Sequence, residues 1–300
     1  MRKSEILVYM KEIVRLFRQQ IRALHSTLLI FRVYNTRSMI LFYLVGVSLG
    51  DGIRLSRDLF LVPLIFLCTY SFASILNFQA DQEIDRINKR TNPFLNKQVN
   101  TYFDRSALFI LPAGAIALSL YTNSWLSTFL GSVFLLVLSY GYSHSSLRWS
   151  HHPLLKIIAM ALNYAIVPAL IGLGMQNVTI RTFIILVSLS VFYTSWLLYS
   201  DMKDIRGDQK FNKRTFAVLL GKKKLATWCW GIGLMSFLFV MAILMRTYSI
   251  HRVTIIVGIL TIGLQFIAMV NIRLLENKRL RILGSYIVYI FLISLLVDLS

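Results

Sequence analysis

"NFQADQEIDRINKR", residues 77–90, follows a long apolar run and gathers Asp81, Glu83 and Asp85 within five positions. "DMKDIRGDQK", residues 201–210, follows another apolar run and gathers Asp201, Asp204 and Asp208. Together these stretches hold six of the chain's 13 acidic residues. Asn77, Asp81 and Asp85 are spaced i, i+4, i+8, which lines them along one face if the preceding helix continues, while Glu83 points elsewhere. Asp204 and Asp208 repeat the i, i+4 relation, and Asp201 stands one turn before Asp204. Like charges at these spacings repel within an isolated helix, so something positive must offset them.

The surroundings of both stretches are those of a membrane protein. A composition of 56% hydrophobic and 15% charged residues, with a mean hydropathy of +0.64, excludes the ordinary soluble globular class. A hydrocarbon layer of roughly 30 Å needs about 20 apolar residues per helix. Nine stretches approach that length: 39–50, 59–78, 106–121, 125–143, 154–174, 183–200, 225–245, 253–270 and 282–299. The expected fold is an all-α integral membrane bundle of about nine transmembrane helices. No linker or low-complexity tract divides it, so residues 38–300 read as a single transmembrane domain with acidic loops at 79–105 and 201–224. The loops follow the second and sixth helices, a spacing that suggests a duplicated four-helix unit with a ninth helix appended.

With the N-terminus inside, the inside segments carry 27 of the 32 Lys and Arg residues, and the outside segments keep Arg54, Arg57, Arg181, Arg246 and Arg252. This asymmetry satisfies the positive-inside rule and places both acidic loops on the inner face. The net charge of +19 is therefore mostly a topology signal, and no basic domain remains to bind nucleic acid. Residues 1–37 are broken by charge throughout and do not form a signal peptide. Ile6, Met10, Ile13, Phe17, Ile21 and Leu24 recur at helical spacing among arginines, the pattern of a basic amphipathic helix lying on the inner surface. Cys68 and Cys229 both fall in expected membrane helices, which leaves no disulfide framework and no CxxC site.

Two carboxylate walls of matched spacing, each at a helix end, fit Mg²⁺. This hard cation takes one or two carboxylates together with phosphate oxygens and water. Walls built from Asp81, Asp85, Asp201, Asp204 and Asp208, with Asn77, suit a diphosphate, and Arg148, Lys203 and Lys210 are the cations expected to contact it. A diphosphate at the mouth of an apolar bundle implies a lipid tail between the helices, and hence an isoprenyl diphosphate in the bilayer. Its ionised allylic cation needs aromatic faces and a dry cavity. Tyr70, Tyr140, Tyr142, Tyr193, Trp196 and Tyr199 lie in the inner halves of their helices and are candidates. Asn163, in the middle of the fifth helix, either bonds a neighbouring helix or touches an acceptor.

The first stretch resembles a signature of the UbiA superfamily of intramembrane prenyltransferases, written N-D-x-x-D-x-x-x-D and continuing into R-x-N-K-P. "DMKDIRGDQKFNKRTFAVLLG", residues 201–221, is similar to the second signature, and "YSHSSLRW", residues 142–149, to the middle element Y-S-x-P-P-x-R-L-K. The resemblance implies Mg²⁺-dependent transfer of a prenyl group from its diphosphate to an aromatic acceptor. It also implies that Arg148 matches the arginine of the middle element. With the charge asymmetry, it implies a bacterial cytoplasmic membrane with the site facing the cytoplasm. The chain departs from the pattern at Phe78, where the family has its first Asp, at Arg90, where it has proline, and at Ser145, Ser146 and Ser150 in the middle element. These changes surround the expected acceptor position more than the diphosphate.

Two other readings share these residues. A UbiA-type terpene cyclase would capture the cation with the prenyl chain's own double bonds, and a cation- or lipid-binding transporter would use the acids without turnover. His144, His151 and His152 lack a paired Cys or carboxylate, which argues against zinc. The D-G-x-x-A-R core of CDP-alcohol phosphotransferases is absent.

Overall fold

Each apolar segment forms a helix, and no strand occurs among the described residues, which are 12, 33–90, 92–95, 101–271 and 278–299 of a computed structural model. In chain order the helices are α1 (Val33–Leu49), α2 (Asp58–Ala80), α3 (Gln82–Ile87), α4 (Thr101–Ser119), α5 (Trp125–Ser143) and α6 (Pro153–Leu173). They continue as α7 (Ile180–Leu197), α8 (Ile205–Lys210), α9 (Phe216–Thr247), α10 (Arg252–Val270) and α11 (Lys278–Leu299). Among the described residues, seven helical segments are long and apolar enough to cross a membrane. Two shorter apolar helices, Thr36–Leu49 and Arg105–Ser119, supply the remaining positions of the nine-helix expectation. The protein is an integral membrane protein. The expected amphipathic helix of residues 1–37 lies outside the described residues, apart from residue 12 and from 33–37, which begin α1.

Local sequence sets the helix ends. Pro153 opens α6, where its missing N–H costs nothing. Thr179 and Thr182 form a reciprocal capping box at the start of α7. Thr215 accepts a hydrogen bond from the Val218 N–H at 3.4 Å and caps α9. Gly221, at φ 71°, breaks α9 just before Lys222, Lys223 and Lys224, so the apolar span begins after the kink.

The helices close into a ring. α1 packs on α6, α2 on α4 and α5, α7 on α9, α9 on α10, α10 on α11, and α11 returns to α1. The crossing of α1 and α6 joins the first helices of the two expected four-helix units, and it is backbone on backbone. A Cβ at Gly46 would stand 1.9 Å from the Ala169 carbonyl oxygen, and one at Gly172 would stand 2.0 Å from that of Tyr43. In lipid, association depends on such close packing rather than on apolar burial. The main core includes Phe42, Ile185, Leu186, Phe192, Val240 and Phe291. Phe60, Leu64, Phe109, Trp228 and Ile259 face outward, as a lipid-exposed surface requires.

Candidate active site at the acidic end of the bundle

α2 runs on to Ala80 before Asp81 breaks it and the short α3 takes over. Backbone bonds from Asp81 N to Asn77 O (2.9 Å) and from Asp85 N to Asp81 O (2.8 Å) carry the i, i+4 register through the break. Glu83 is turned outward and pairs with Arg86 at 2.9 Å. In the second stretch a 3₁₀ segment, Leu198–Lys203, carries Asp201, and α8 carries Asp208. Asp204 N bonds Asp201 O and Asp208 N bonds Asp204 O, both at 3.0 Å. All five aspartates on these walls are buried, at 3–6% exposure. α3 and α8 dock through a bond from the Gly207 N–H to Asn88 Oδ1 at 2.8 Å. A Cβ at Gly207 would lie 2.5 Å from the Asn88 amide nitrogen, so any larger residue there displaces the Asn88 side chain.

Both stretches fit the spacing D-x3-D-x4-[R/K], with Arg90 following Asp81 and Asp85 as Lys213 follows Asp204 and Asp208. The backbone repeats as well. Lys89 and Asn212 both take φ 52°. Arg90 N then bonds Asp85 O at 2.9 Å, and Lys213 N bonds Asp208 O at 2.8 Å. Each cation crosses to the opposite wall. Arg90 Nε donates to Asp204 Oδ1 at 2.7 Å, its second terminal nitrogen donates to Asp204 Oδ2, and its first lies 3.9 Å from Asp85 Oδ1. Lys213 Nζ donates to Asp81 Oδ2 at 3.1 Å. Lys156, from the first turn of α6, donates to Asp201 Oδ2 at 2.5 Å. Asn92 Nδ2 donates to Asp85 Oδ2 at 2.9 Å, and Thr215 donates to Asp208 Oδ2 at 3.4 Å. Here is the positive charge that the acidic spacing demanded.

These groups form the mouth of a cavity of about 490 Å³ that runs in among the helices. Its aromatic lining is entirely tyrosine: Tyr70, Tyr142, Tyr164, Tyr193 and Tyr289. Tyr70 and Tyr164 share a hydroxyl bond of 2.9 Å. Ser74 and Ser143 also line the cavity, and their buried hydroxyls have no partner among the described residues. Asn163 faces it from a π-helical turn, Leu162–Ile166, within α6. Burial raises the carboxyl pKa of Asp208, an effect partly offset by Lys213 and Lys156. Burial, followed by the charge of Lys213, pushes His151 down to about 4.

Of the residues expected from sequence, Asn77, Asp81, Asp201, Asp204, Asp208, Lys203, Tyr142 and Asn163 line the cavity. Asp85 stands behind them, held by Asn92. Arg148 and Lys210 are exposed and do not line the cavity. Tyr199 is buried on the far side of its helix, where its hydroxyl donates to the carbonyls of Ala226 (3.3 Å) and Gln265 (3.4 Å). Phe78 packs on Phe94, with ring centroids 6.3 Å apart, and is not part of the lining. Sequence reasoning passed over Arg90, Lys156 and Lys213 as site cations. The shared i, i+9 offset of Arg90 and Lys213 was the available signal for two of them.

No three His, Cys, Asp or Glu side chains cluster into a ready metal cage among the described residues. The donors are instead hard oxygens on two walls, with Asp85 and Asp204 on either side of the Arg90 guanidinium.

The UbiA prenyltransferase family profile matches residues 39–295. The chain belongs to this family. A 2-acylphloroglucinol 4-prenyltransferase from Humulus lupulus is 30% identical over 212 residues, covering 65% of this chain and 50% of that one. Homogentisate phytyltransferase 1 from Arabidopsis thaliana is 27% identical over 192 residues, covering 58% of this chain and 46% of that one. The chain thus spans about half the length of the curated relatives it matches. Among solved structures, a UbiA homolog from Archaeoglobus fulgidus bound to DMAPP and Mg²⁺ superposes with a TM-score of 0.65 at 16% identity, over 90% of this chain and 98% of that one. The apo UbiA homolog from Aeropyrum pernix K1 gives 0.65 at 18% identity, over 90% and 99%. These likenesses establish the UbiA fold.

Proposed function

We propose that this UbiA family member transfers a prenyl group from an isoprenyl diphosphate to an aromatic acceptor within the membrane, with Mg²⁺ as cofactor. The observation that carries the reading is the pair of buried carboxylate walls at the mouth of a tyrosine-lined cavity inside an apolar bundle. Four aspartates, Asp81, Asp201, Asp204 and Asp208, line the cavity with four cationic side chains, Arg90, Lys156, Lys203 and Lys213, and Asp85 stands behind them. The carboxylates and cations that line the cavity balance, so a bound diphosphate brings negative charge that a metal ion would offset. Asp81, Asp85, Asp201, Asp204 and Asp208 are the ligands by type. When bound, Mg²⁺ neutralises charge on the departing diphosphate.

The chain's own groups do the rest. Lys203, Lys213 and Asn77 border the position of the phosphates and donate to their oxygens. The tyrosine ring faces stabilise the allylic cation, and the closed bundle keeps water from it. Asn163, Ser74 and Ser143 offer hydrogen bonds to an acceptor that carries hydroxyl or carbonyl groups. The aromatic acceptor is supported by the relatives, which are named for transfer to acylphloroglucinol and homogentisate. The basic asymmetry supports a cytoplasmic orientation of this end.

The test is purified protein incubated with geranyl, farnesyl and geranylgeranyl diphosphates and a panel of phenols, read by mass spectrometry and by diphosphate release. Prenylated phenol is the expected product. A hydrocarbon or terpene alcohol formed from the diphosphate alone would replace the reading with a cyclase. No diphosphate release with any pair would overturn the enzymatic reading.

A further inference from the structure

Arg90 and Lys213 hold equivalent positions in the two stretches, yet they engage their carboxylates differently. The Lys213 ammonium meets one oxygen of Asp81. The Arg90 guanidinium takes both oxygens of Asp204 and lies 3.9 Å from Asp85 Oδ1, while Asn92 occupies Asp85 Oδ2. We propose that Arg90 is a resident cation that takes the place of a divalent ion between Asp85 and Asp204, so that the substrate-loaded site holds one divalent ion rather than two. The inference rests on the prenyl-diphosphate reading above.

The argument is one of occupancy. Mg²⁺ binds carboxylate oxygens at roughly 2.0–2.1 Å in a near-ideal octahedron and gives up its water reluctantly. The Arg90 guanidinium takes up acceptor sites on both oxygens of Asp204 and holds a positive charge beside them, so it competes with a second dication for this corner. A planar fork with five fixed donors matches a carboxylate in two places at once, and it stays charged at every working pH. An ammonium on a flexible stem, by contrast, can leave its carboxylate for a phosphate oxygen. Lys213 and Lys156 are of that second kind, and each engages one oxygen of its aspartate. Phe78 adds no further ligand to the corner that Arg90 fills, because it is turned onto Phe94. Arg90 is also about one-third exposed, at 34%, and lines the cavity, so its remaining N–H groups are available to a diphosphate oxygen.

The count of ions decides the matter. The protein in lipid nanodiscs, saturated with the non-ionising analogue geranyl thiolodiphosphate, is titrated with Mn²⁺ and followed by calorimetry and electron paramagnetic resonance. Wild type is expected to bind one Mn²⁺ per chain with the spectrum of an isolated ion. Arg90→Gln, which removes the guanidinium from between Asp204 and Asp85, is expected to bind two Mn²⁺ with a spin-coupled spectrum. Two coupled Mn²⁺ ions in wild type would overturn the inference, whether or not the variant folds, and would leave the proposed function standing. An unchanged count in a folded Arg90→Gln protein would overturn it as well. No Mn²⁺ bound beside the analogue in wild type would remove both this inference and the Mg²⁺ reading.

Discussion

Lys213 reaches Asp81 from the loop that carries Asp204, and Arg90 reaches Asp204 from the loop that carries Asp81. Each half of the bundle therefore supplies the counter-ion for the other half's buried acid. A buried carboxylate is costly unless it is paired and hydrogen-bonded, so this exchange is what permits two acidic walls at a membrane edge.

Loss of a single wall carboxylate is expected to lower turnover sharply. Asp81→Asn and Asp208→Asn should each reduce diphosphate release by roughly 100-fold or more, the scale set by groups that hold or orient a metal. Glu83→Gln should stay within about twofold, because its carboxylate is exposed and paired only with Arg86. Equal losses at Glu83 and Asp81 would sink the assignment of the functional face.

Removing divalent metal is expected to stop the reaction. Protein treated with EDTA should release no diphosphate above background, and added Mg²⁺ should restore the rate. Turnover that persists in the chelator would show that the four cations suffice alone.

The buried pair of Lys156 and Asp201 separates stability from activity. Lys156→Met leaves a carboxylate without its partner and is expected to destabilise the protein by about 3–5 kcal/mol. The double variant Lys156→Met/Asp201→Leu should recover much of that stability, since apolar replacement of a buried pair is often neutral, yet it should remain poorly active. Thermal unfolding in detergent and diphosphate release, measured on the same samples, report the two effects separately.

The cations are expected to rank by position rather than by charge. Lys213→Met should reduce diphosphate release by at least about tenfold, and Lys210→Met, at an exposed residue away from the cavity, should lose less. The reverse order would mean that the diphosphate lies outside the cavity.

A fifth expectation concerns the scaffold. Gly46→Val drives a side chain into the Ala169 carbonyl at the α1–α6 crossing, and overpacking of this kind costs about 1–3 kcal/mol or more. A reduced unfolding temperature and a lower yield of folded protein are the outcomes to look for.

Much of this organisation is legible in the sequence because it is periodic. Hydropathy gives the nine segments, and the i, i+4 spacing gives the shared face of Asn77, Asp81 and Asp85 and sets Glu83 apart. Helical phase also separates Tyr193, Leu197, Ser200 and Asp201, which share the cavity face of their segment, from Tyr199, which falls on the other side. The site cations were harder to read for a physical reason. Most Lys and Arg residues in this chain follow membrane topology, and that signal hides the few that pair with acids. The partners of Arg90 and Lys213 lie 114 and 132 residues away, and their one local trace is the offset from the first aspartate that the two residues share. Lys156 is marked only by the tertiary contact that brings α6 to the end of α7.

The exchange of cations also bears on how the protein is made. Synthesis runs from the N-terminus, so Asp81 arrives at the membrane edge 132 residues before Lys213 exists. Until then the first half carries an acid whose partner is still unmade, beside an arginine whose own partner, Asp204, is equally absent. The ring closes only when the later helices arrive, and with them come Lys213 and Asp204, which complete the pairs. Assembly of the bundle and completion of its site are, in this chain, one event.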